Sequence, residues 1–406
     1  MRSLVKASSL ALILTMLFAA AGCASDIGTS GSSYSGSESG MYSEYASESY
    51  GNSLESNKES SKKDPAKTES NKESSKNDPA KNETASKETT APKKTFKLNT
   101  TNKWTYSTDA ATGVKIRNLT IDTGWGGDTV TISQLSDIHV NYCTENDLKD
   151  PVLKSTYDNR TWLKGFASRT NLEKSMTVAK GSNLVVLSGD TYDYYSEGVA
   201  QKTNEYIFSK YKNVVACLGN HEPVRQMQGT VAETKSAEEL RKLVADSWCN
   251  DITYDSFLIK GKVMVILLDN SSGKFLSEQV ALFKADLQKA RTNGYAVLVF
   301  YHIPLDTGNP DCAKIQTSYK NDHDYAYLYN RTDLTGPAST GADKQVYDLI
   351  CNNGDIIKGC FCGHYHSDFY SEIKATTPTG TSTIIPQYII TGVAYDSGHV
   401  LTITIK

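Results

Sequence analysis

Acidic, amide and imidazole side chains occur together in five short segments, and each segment directly follows an apolar run. The segments are, in chain order, Asp137-Ile138-His139, Gly189-Asp190-Thr191-Tyr192-Asp193, Gly219-Asn220-His221-Glu222, His302 and Gly363-His364-Tyr365-His366. They hold five of the seven histidines of the chain. Imidazole and carboxylate groups are ligands that first-row divalent and trivalent ions accept readily. The segments therefore predict a metal site, provided that the fold brings them together.

Any one of these segments alone is weak evidence, because a solitary His after a strand is more often a structural residue. Their order along the chain carries more information. The patterns D-x-H, G-D-x-x-D, G-N-H-E, a lone His and G-H-x-H resemble, in that order, the motifs of the calcineurin-like metallophosphoesterase superfamily. The resemblance extends over residues 115–406. It implies a fold of the α/β class, a four-layer αββα sandwich of two mixed sheets flanked by helices.

The resemblance also implies a centre of two divalent or trivalent metal ions, Mn, Fe or Zn, with ligands assigned to each ion. One ion would be held by Asp137, His139 and His366, the other by Asn220, His302 and His364, and Asp190 would bridge them. Two ions about 3.5 to 4 Å apart lower the pKa of a shared water and present hydroxide to a phosphorus atom. The activity implied is hydrolysis of small phosphate mono- or diesters.

Three further residues receive roles from the same resemblance. His221 matches the residue that donates a proton to the leaving oxygen, and Asp193 matches the carboxylate that orients this histidine. Taken from the sequence alone, the alternative for Asp193 is a simple turn residue. Glu222 is expected to orient the site rather than to bind an ion.

The motifs of this chain differ from those of three better-defined groups within the superfamily, which limits the groups to which the chain can be assigned. Protein Ser/Thr phosphatases have Arg-Gly after the second Asp of G-D-x-x-D, whereas Tyr194 and Tyr195 follow Asp193 here. Purple acid phosphatases carry Tyr at the position of Asp193 and lack the first histidine, which is present as His139. Bacterial 5′-nucleotidases add a large C-terminal domain, and only about 40 residues follow His366. The sequence therefore matches none of these three groups.

Short apolar runs rich in β-branched residues alternate with helical patterns between the five segments. Predicted strands cover residues 129–135, 184–187, 214–218, 263–268, 296–301, 356–361 and 388–391, and helical spacing occurs at 236–247 and 277–292. This alternation is typical of α/β layering. Residues 386–406 contain two strands separated by the turn Asp396-Ser397-Gly398, and we expect them at a sheet edge.

The N-terminus has the layout of a signal peptide. Arg2 and Lys6 precede an apolar run over residues 10–21, which is short for a membrane-spanning helix. The run leads into Ala20-Ala21-Gly22-Cys23, which resembles a bacterial lipobox. Residues 1–22 are therefore expected to be removed and Cys23 to carry a lipid, with ordinary secretion as the alternative. The expected location is extracytoplasmic, as a membrane lipoprotein that faces outward.

Residues 23–95 form a low-complexity segment rich in Ser, Lys and Glu. Residues 55–68 recur nearly unchanged as residues 69–82, a duplication with a period of 14 residues. Neither copy has an apolar face that could pack, so we expect a disordered tether that precedes a globular domain over residues 96–406. The net charge of -3 gives no electrostatic argument for a nucleic-acid partner, and no specific protein partner is predicted.

Seven cysteines remain besides Cys23, so at least one must be unpaired within a monomer. Cys360 and Cys362 are two apart on a predicted strand and so point the same way. Buried thiols or disulfide partners are the favoured interpretation, because no second close pair completes a metal site.

The sequence allows two roles for each of two aromatic features. Residues 306–343 are long, polar and Tyr-rich, and could form a functional lid or an ordinary surface insertion. Tyr192, Tyr194 and Tyr195 could stack on an aromatic leaving group or pack in the core.

The alternative to an enzyme is a catalytically inactive surface-binding lipoprotein on the same fold. A decayed site should have lost ligands, and all seven expected ligand residues are present.

Overall fold

The computed structural model describes residues 96–160, 166–227, 229–306 and 341–406. The expected signal peptide 1–22, the lipidation site Cys23 and the tether 23–95 lie outside these residues. So does most of the Tyr-rich segment 306–343.

Twelve strands in the described residues form two sheets of six. In chain order they are β1 (Thr105–Thr108), β2 (Lys115–Ile121), β3 (Val130–Leu135), β4 (Leu184–Ser188), β5 (Val214–Cys217), β6 (Tyr254–Ile259), β7 (Val263–Leu268), β8 (Ala296–Phe300), β9 (Ile357–Cys362), β10 (Phe369–Thr376), β11 (Ser382–Ile389) and β12 (His399–Ile405). The first sheet has the order β1-β2-β12-β3-β4-β5 and the second has the order β10-β11-β9-β8-β7-β6.

Both sheets are mixed, and each contains a run of adjacent parallel strands. In the first sheet β3, β4 and β5 run parallel, and β12 runs antiparallel to β3 and parallel to β2. In the second sheet β7, β8, β9 and β11 run parallel, with antiparallel β6 and β10 at the edges. Parallel strands need covering on both faces, which explains the unbroken apolar runs in β4, β7 and β8.

The described residues include six α-helices, which cover the outer faces of the sheets. They are α1 (Pro151–Asn159), α2 (Phe166–Ala179), α3 (Glu197–Thr203), α4 (Ala237–Ser247), α5 (Ser277–Asn293) and α6 (Ala342–Cys351). Local chemistry fixes several ends: Ser236 and Glu239 form a capping box on α4, and Gly294 ends α5 in the left-handed conformation. No helix among the described residues is long and apolar enough to cross a lipid bilayer.

The buried side chains form three clusters, which define the layers. One cluster lies between the sheets and contains Ile132 and Val186 from the first sheet and Val265 from the second. A second joins the outer face of the first sheet to helices including α1 and α2, and a third joins the second sheet to α5 and α6. Alternate residues of β4 enter different clusters, as expected for a strand buried on both faces. The four-layer αββα sandwich is therefore confirmed.

The expected place of the last two strands is wrong. The turn at residues 396–398 does separate two strands, but β12 lies between β2 and β3 and β11 lies between β10 and β9. Each of them has a hydrogen-bonded neighbour on both sides, so neither is an edge. Five of the described cysteines, Cys217, Cys249, Cys351, Cys360 and Cys362, are free thiols. Cys360 and Cys362 are buried, in agreement with the interpretation as buried thiols.

Candidate metal centre

The five predicted segments meet at one end of the sandwich. Three follow β3, β4 and β5 of the first sheet, and two follow β8 and β9 of the second. Because these strands are parallel within each sheet, their carboxyl ends lie at the same end of the sheet, where α/β proteins place functional groups. The site is thus built by loops from both sheets.

The backbone at this end is conformationally unusual. Asp137, His139, Asp190, His364 and His366 all have positive φ angles, between 51° and 73°. Each such residue costs on the order of 1–3 kcal/mol of strain, and such residues cluster at functional sites. Five of the seven non-glycine residues with positive φ in the described part of the chain are therefore predicted ligands.

Two glycines allow the loops to approach each other closely. A Cβ atom on Gly219 would lie 2.1 Å from Asp190 Oδ1, and one on Gly363 would lie 2.5 Å from Asp137 Oδ2. Both distances are far below van der Waals contact, so only glycine fits at these two positions.

The first predicted ligand group is assembled around Asp137. Asp137, His139, Asp190 and His366 each offer one ligand atom, and these atoms lie within 4.8 Å of one another. His366 Nε2 lies 3.2 Å from Asp137 Oδ1 and 3.2 Å from His139 Nε2. Three nitrogen and oxygen atoms therefore converge on one point, as the ligands of a single ion must.

The second group shares Asp190 with the first. Asp190, His302 and His364 again offer ligand atoms within 4.8 Å of one another. His302 Nε2 lies 3.1 Å from Asp190 Oδ2, although the two atoms are poorly aligned for a hydrogen bond. Asn220 Oδ1 is buried without a hydrogen-bond partner. Such a buried acceptor normally has a partner, so Asn220 fits the predicted role of an oxygen ligand. The donor set therefore suits two ions that share one carboxylate.

The charges of the cluster shift its pKa values strongly. Burial acts to lower the pKa of His302, but the carboxylates of Asp190 and Asp137 outweigh it and raise this pKa to about 10. Burial acts to raise the pKa of Asp190, yet the nearby imidazoles of His302 and His221 hold it well below its usual value. In the metal-free chain a protonated His302 therefore supplies positive charge that bound ions would otherwise provide.

Glu222 joins two of the ligand loops and does not offer a ligand atom. Its carboxylate accepts backbone N–H groups of Gly219 at 2.7 Å, Asp190 at 3.2 Å, Thr191 at 2.5 Å and Tyr192 at 3.2 Å. Burial and the charge of Asp190 nevertheless raise the pKa of Glu222 to about 7. The residue is placed as an orienting group, as predicted.

The carboxylate of Asp193 contacts His139 rather than His221, the histidine that the sequence analysis expected it to orient. Its carboxylate accepts hydrogen bonds from Arg160 Nε at 3.0 Å and Asn141 Nδ2 at 2.7 Å, and it lies 3.2 Å from His139 Nδ1. His221 Nδ1 lies 2.7 Å from the backbone carbonyl of Asp193 but 3.7 Å from its carboxylate. Asp193 therefore orients His221 through its main chain and His139 through its side chain, which is more than a turn residue would do.

The tyrosines after Asp190 pack in the core. Tyr192 and Tyr194 are fully buried and Tyr195 is nearly so. All three belong to the cluster between the outer face of the first sheet and the helices that cover it. Tyr192 contacts Trp248 edge to face, with ring centroids 5.1 Å apart. Of the two roles left open by the sequence, packing is the correct one.

Three residues at the site were not identified from the sequence. Arg160 and Asn141 hold Asp193, and the Tyr395 hydroxyl lies 2.6 Å from His366 Nδ1. None of the three stands in a recognisable motif. Asn141 is two residues after His139, and that proximity was the only available signal.

The fold and the site together define a metal-dependent phosphoesterase. The family model for calcineurin-like phosphoesterases matches residues 130–368, more than half of the chain, and the chain belongs to this family. The matched range is narrower than the 115–406 over which the sequence resemblance was drawn. No curated protein matches the chain.

Several solved structures are similar at low sequence identity. A dimetal phosphatase from Danio rerio is 13% identical, with 65% of this chain and 88% of that chain covered and a TM-score of 0.39. A purple acid phosphatase from yellow lupin (Lupinus luteus) seeds is 13% identical, with 69% and 46% covered and a TM-score of 0.39. The NAD nucleotidase of Haemophilus influenzae is 14% identical, with 66% and 46% covered and a TM-score of 0.33. The chain spans less than half the length of the last two proteins.

Proposed function

We propose that this protein hydrolyses small phosphate mono- or diesters with the help of two metal ions, Mn, Fe or Zn. The observation that carries the proposal is that two ligand groups share Asp190. The buried, unpartnered oxygen of Asn220 supports it, because a metal ion would satisfy that oxygen. Two bound ions would supply positive charge for the phosphoryl oxygens and activate a water as the nucleophile.

The chain itself holds the ligands in place before an ion or a substrate arrives. The carboxylate of Asp193 fixes the ring of His139, and the carbonyl of Ser188, 2.8 Å from His302 Nδ1, fixes the ring of His302. In both cases Nδ1 is engaged, so Nε2 faces the site. This arrangement is the one that metal-binding histidines require.

His221 is proposed to deliver a proton to the leaving oxygen. Its Nδ1 is engaged with the carbonyl of Asp193, and its Nε2 faces the site 3.9 Å from Asp190 Oδ2. Burial lowers the pKa of His221 to about 4, so the free protein holds this imidazole neutral at pH 7. A phosphate ester brings negative charge to Nε2, and this charge raises the pKa of His221 towards the protonated form that the reaction needs.

Hydrolysis of chromogenic phosphate mono- and diesters by the purified, Mn²⁺-loaded protein tests the proposal. We expect turnover by the wild type, and we expect Asp190→Asn to abolish both turnover and metal retention. His221→Ala should abolish turnover while leaving metal retention intact, because this histidine is outside both proposed ligand sets. Asp128→Asn, at an exposed position, is the matched control.

A wild type as inert as the two variants across metals and esters would reject hydrolysis. Metal retention without turnover would then favour the alternative of an inactive surface-binding protein on the same fold. No observation on the described residues favours that alternative, since the seven predicted ligand residues are all present and six of them, all but Asn220, fall in the two groups that share Asp190.

We further propose that the chain is exported and anchored to a membrane by a lipid on Cys23. The support is the order of charged, apolar and small residues that ends in Ala20-Ala21-Gly22-Cys23. Phase partition of the protein expressed in a bacterial host tests this. The wild type should enter the detergent phase and Cys23→Ser should not, and equal partition of the two would contradict lipidation.

A further inference from the structure

The loop of residues 391–398, between β11 and β12, packs against the first ligand group. Its backbone N–H groups at Val393 and Ala394 donate to the carbonyls of Ser136 at 2.8 Å and Asp137 at 3.1 Å. A Cβ atom on Gly392 would lie 2.8 Å from Asp137 Cβ, so the loop touches this ligand directly. The loop therefore forms part of the wall of the site.

Tyr395 in this loop contacts the outer nitrogen of His366. The Tyr395 hydroxyl lies 2.6 Å from His366 Nδ1, and the two rings are 4.8 Å apart at an angle of 39°. The other nitrogen, Nε2, faces Asp137 and His139 at 3.2 Å. The side chain of His366 is 27% exposed, against 1% for His139. This histidine is thus less enclosed by packing and depends more on a specific partner.

Tyr395 is itself fixed from the other side by helix α2. The amide of Asn171 donates to the carbonyls of Ala394, Tyr395 and Asp396 at 3.2 to 3.4 Å. Asn171 is buried, so these bonds are shielded from water. The N–H of Gly398 adds a bond to the Tyr395 carbonyl at 3.1 Å. The position of the tyrosine is therefore set by the fold.

We infer that Tyr395 is a positioning residue for the ion held by Asp137, His139 and His366. By accepting the Nδ1 proton of His366, its hydroxyl fixes the tautomer that leaves Nε2 free to bind, and its ring fixes the orientation of the imidazole. The inference rests on the metal centre of the proposed function. Tyr395 lies outside the range 130–368 that the family model matches, so family membership does not assign this role.

Calorimetric titration of the chelator-treated protein with Mn²⁺ measures the effect of Tyr395→Phe. This substitution keeps the ring and removes the hydroxyl. We expect binding of one ion to weaken by about 10- to 100-fold, the usual effect of removing such a partner. Tyr106→Phe, at a tyrosine that is 65% exposed, is the matched control and should bind as the wild type does.

A double-mutant cycle with His366→Ala separates positioning from a general structural effect. If Tyr395 acts through His366, removing its hydroxyl should change Mn²⁺ binding no further in the His366→Ala background. The inference would be overturned if Tyr395→Phe bound both ions with wild-type affinity. It would also be overturned if the substitution weakened Mn²⁺ binding equally in the wild-type and His366→Ala backgrounds. Because the readout is ion binding, a wild type that binds Mn²⁺ without hydrolysing esters would contradict only the proposed function.

Discussion

Replacing Glu222 by Gln should destabilise the protein markedly, although the two side chains have nearly the same shape. One oxygen of Glu222 accepts the N–H groups of Thr191 and Tyr192, and the other accepts those of Asp190 and Gly219. The Gln amide keeps one oxygen and turns an NH₂ group towards the other pair. Two buried N–H groups then lose their acceptor, at about 1–3 kcal/mol each, or about 2–6 kcal/mol of unfolding free energy in total.

Thermal unfolding of the metal-free protein in chelator measures this loss, since bound ions would otherwise add their own stabilisation. For a domain of about 310 residues, an unfolding entropy of about 2.1 cal/mol/K per residue converts the loss into a melting temperature about 3–9 °C lower. Glu145→Gln, at an exposed position, is the control and should melt as the wild type does. If Glu222→Gln also melted within about 1 °C of the wild type, the four hydrogen bonds would not stabilise the loops as described.

Three further outcomes follow from the site. Gly363→Ala places a Cβ 2.5 Å from Asp137 Oδ2 and should weaken Mn²⁺ binding by about tenfold or more, as measured by calorimetry. Arg160→Met leaves the buried charge of Asp193 without its main partner and should cost about 3–5 kcal/mol in chemical denaturation. Ion binding must displace the proton of His302, whose pKa is raised to about 10, so affinity should fall about tenfold for each pH unit below that value. Calorimetry in buffers of different ionisation enthalpy should show the released proton.

Each of these outcomes has a control or a contrary result. Gly181→Ala adds a Cβ with no neighbour within 4 Å and should leave Mn²⁺ affinity unchanged. Arg169→Met removes an exposed pair with Glu173 and should change stability by about 1 kcal/mol or less. An Arg160→Met variant as stable as Arg169→Met would show that Asp193 does not need its cation. Binding heat that is independent of the buffer would show that no proton leaves His302.

The central strands could be predicted because their signal is local. Short runs rich in apolar and β-branched residues predicted β3, β4, β5, β7, β8 and β9 to within one or two residues of their observed ends. Chemistry-bearing residues follow five of these strands directly. Since parallel strands end at a common edge, the sequence also indicated which side chains would meet.

One of the missed strands, β2, depends in part on a distant partner, whereas β1, β6 and β10 were missed although each pairs with a strand next to it in the chain. In β2, Arg117 and Asn118 interrupt the apolar pattern, and this strand pairs with β12 at the other end of the chain. The central place of β12 could not be read from its turn signal, because a turn reports only that a strand begins. Strand order is set by contacts between residues far apart in the sequence.

The same distinction applies within the site. The predicted ligands stand in short local patterns, whereas Arg160 and Tyr395 reach the site from the end of α1 and the loop before β12. Their contacts span 33 and 29 residues, respectively. The left-handed backbone at Asp137 and His139 was also not readable, since neither residue type requires it.

The division of the ligand loops between the two sheets has a consequence for folding. Asp137, Asp190 and Asn220 belong to the first sheet, and His302 and His366 belong to the second. Ions held between them tie the sheets together at the edge where the loops meet, so the layers of the loaded protein should unfold as one cooperative unit. Without ions this edge depends on carboxylates and a protonated imidazole, and amide hydrogen exchange there should be faster than in the loaded protein and faster than in the centre of the sandwich.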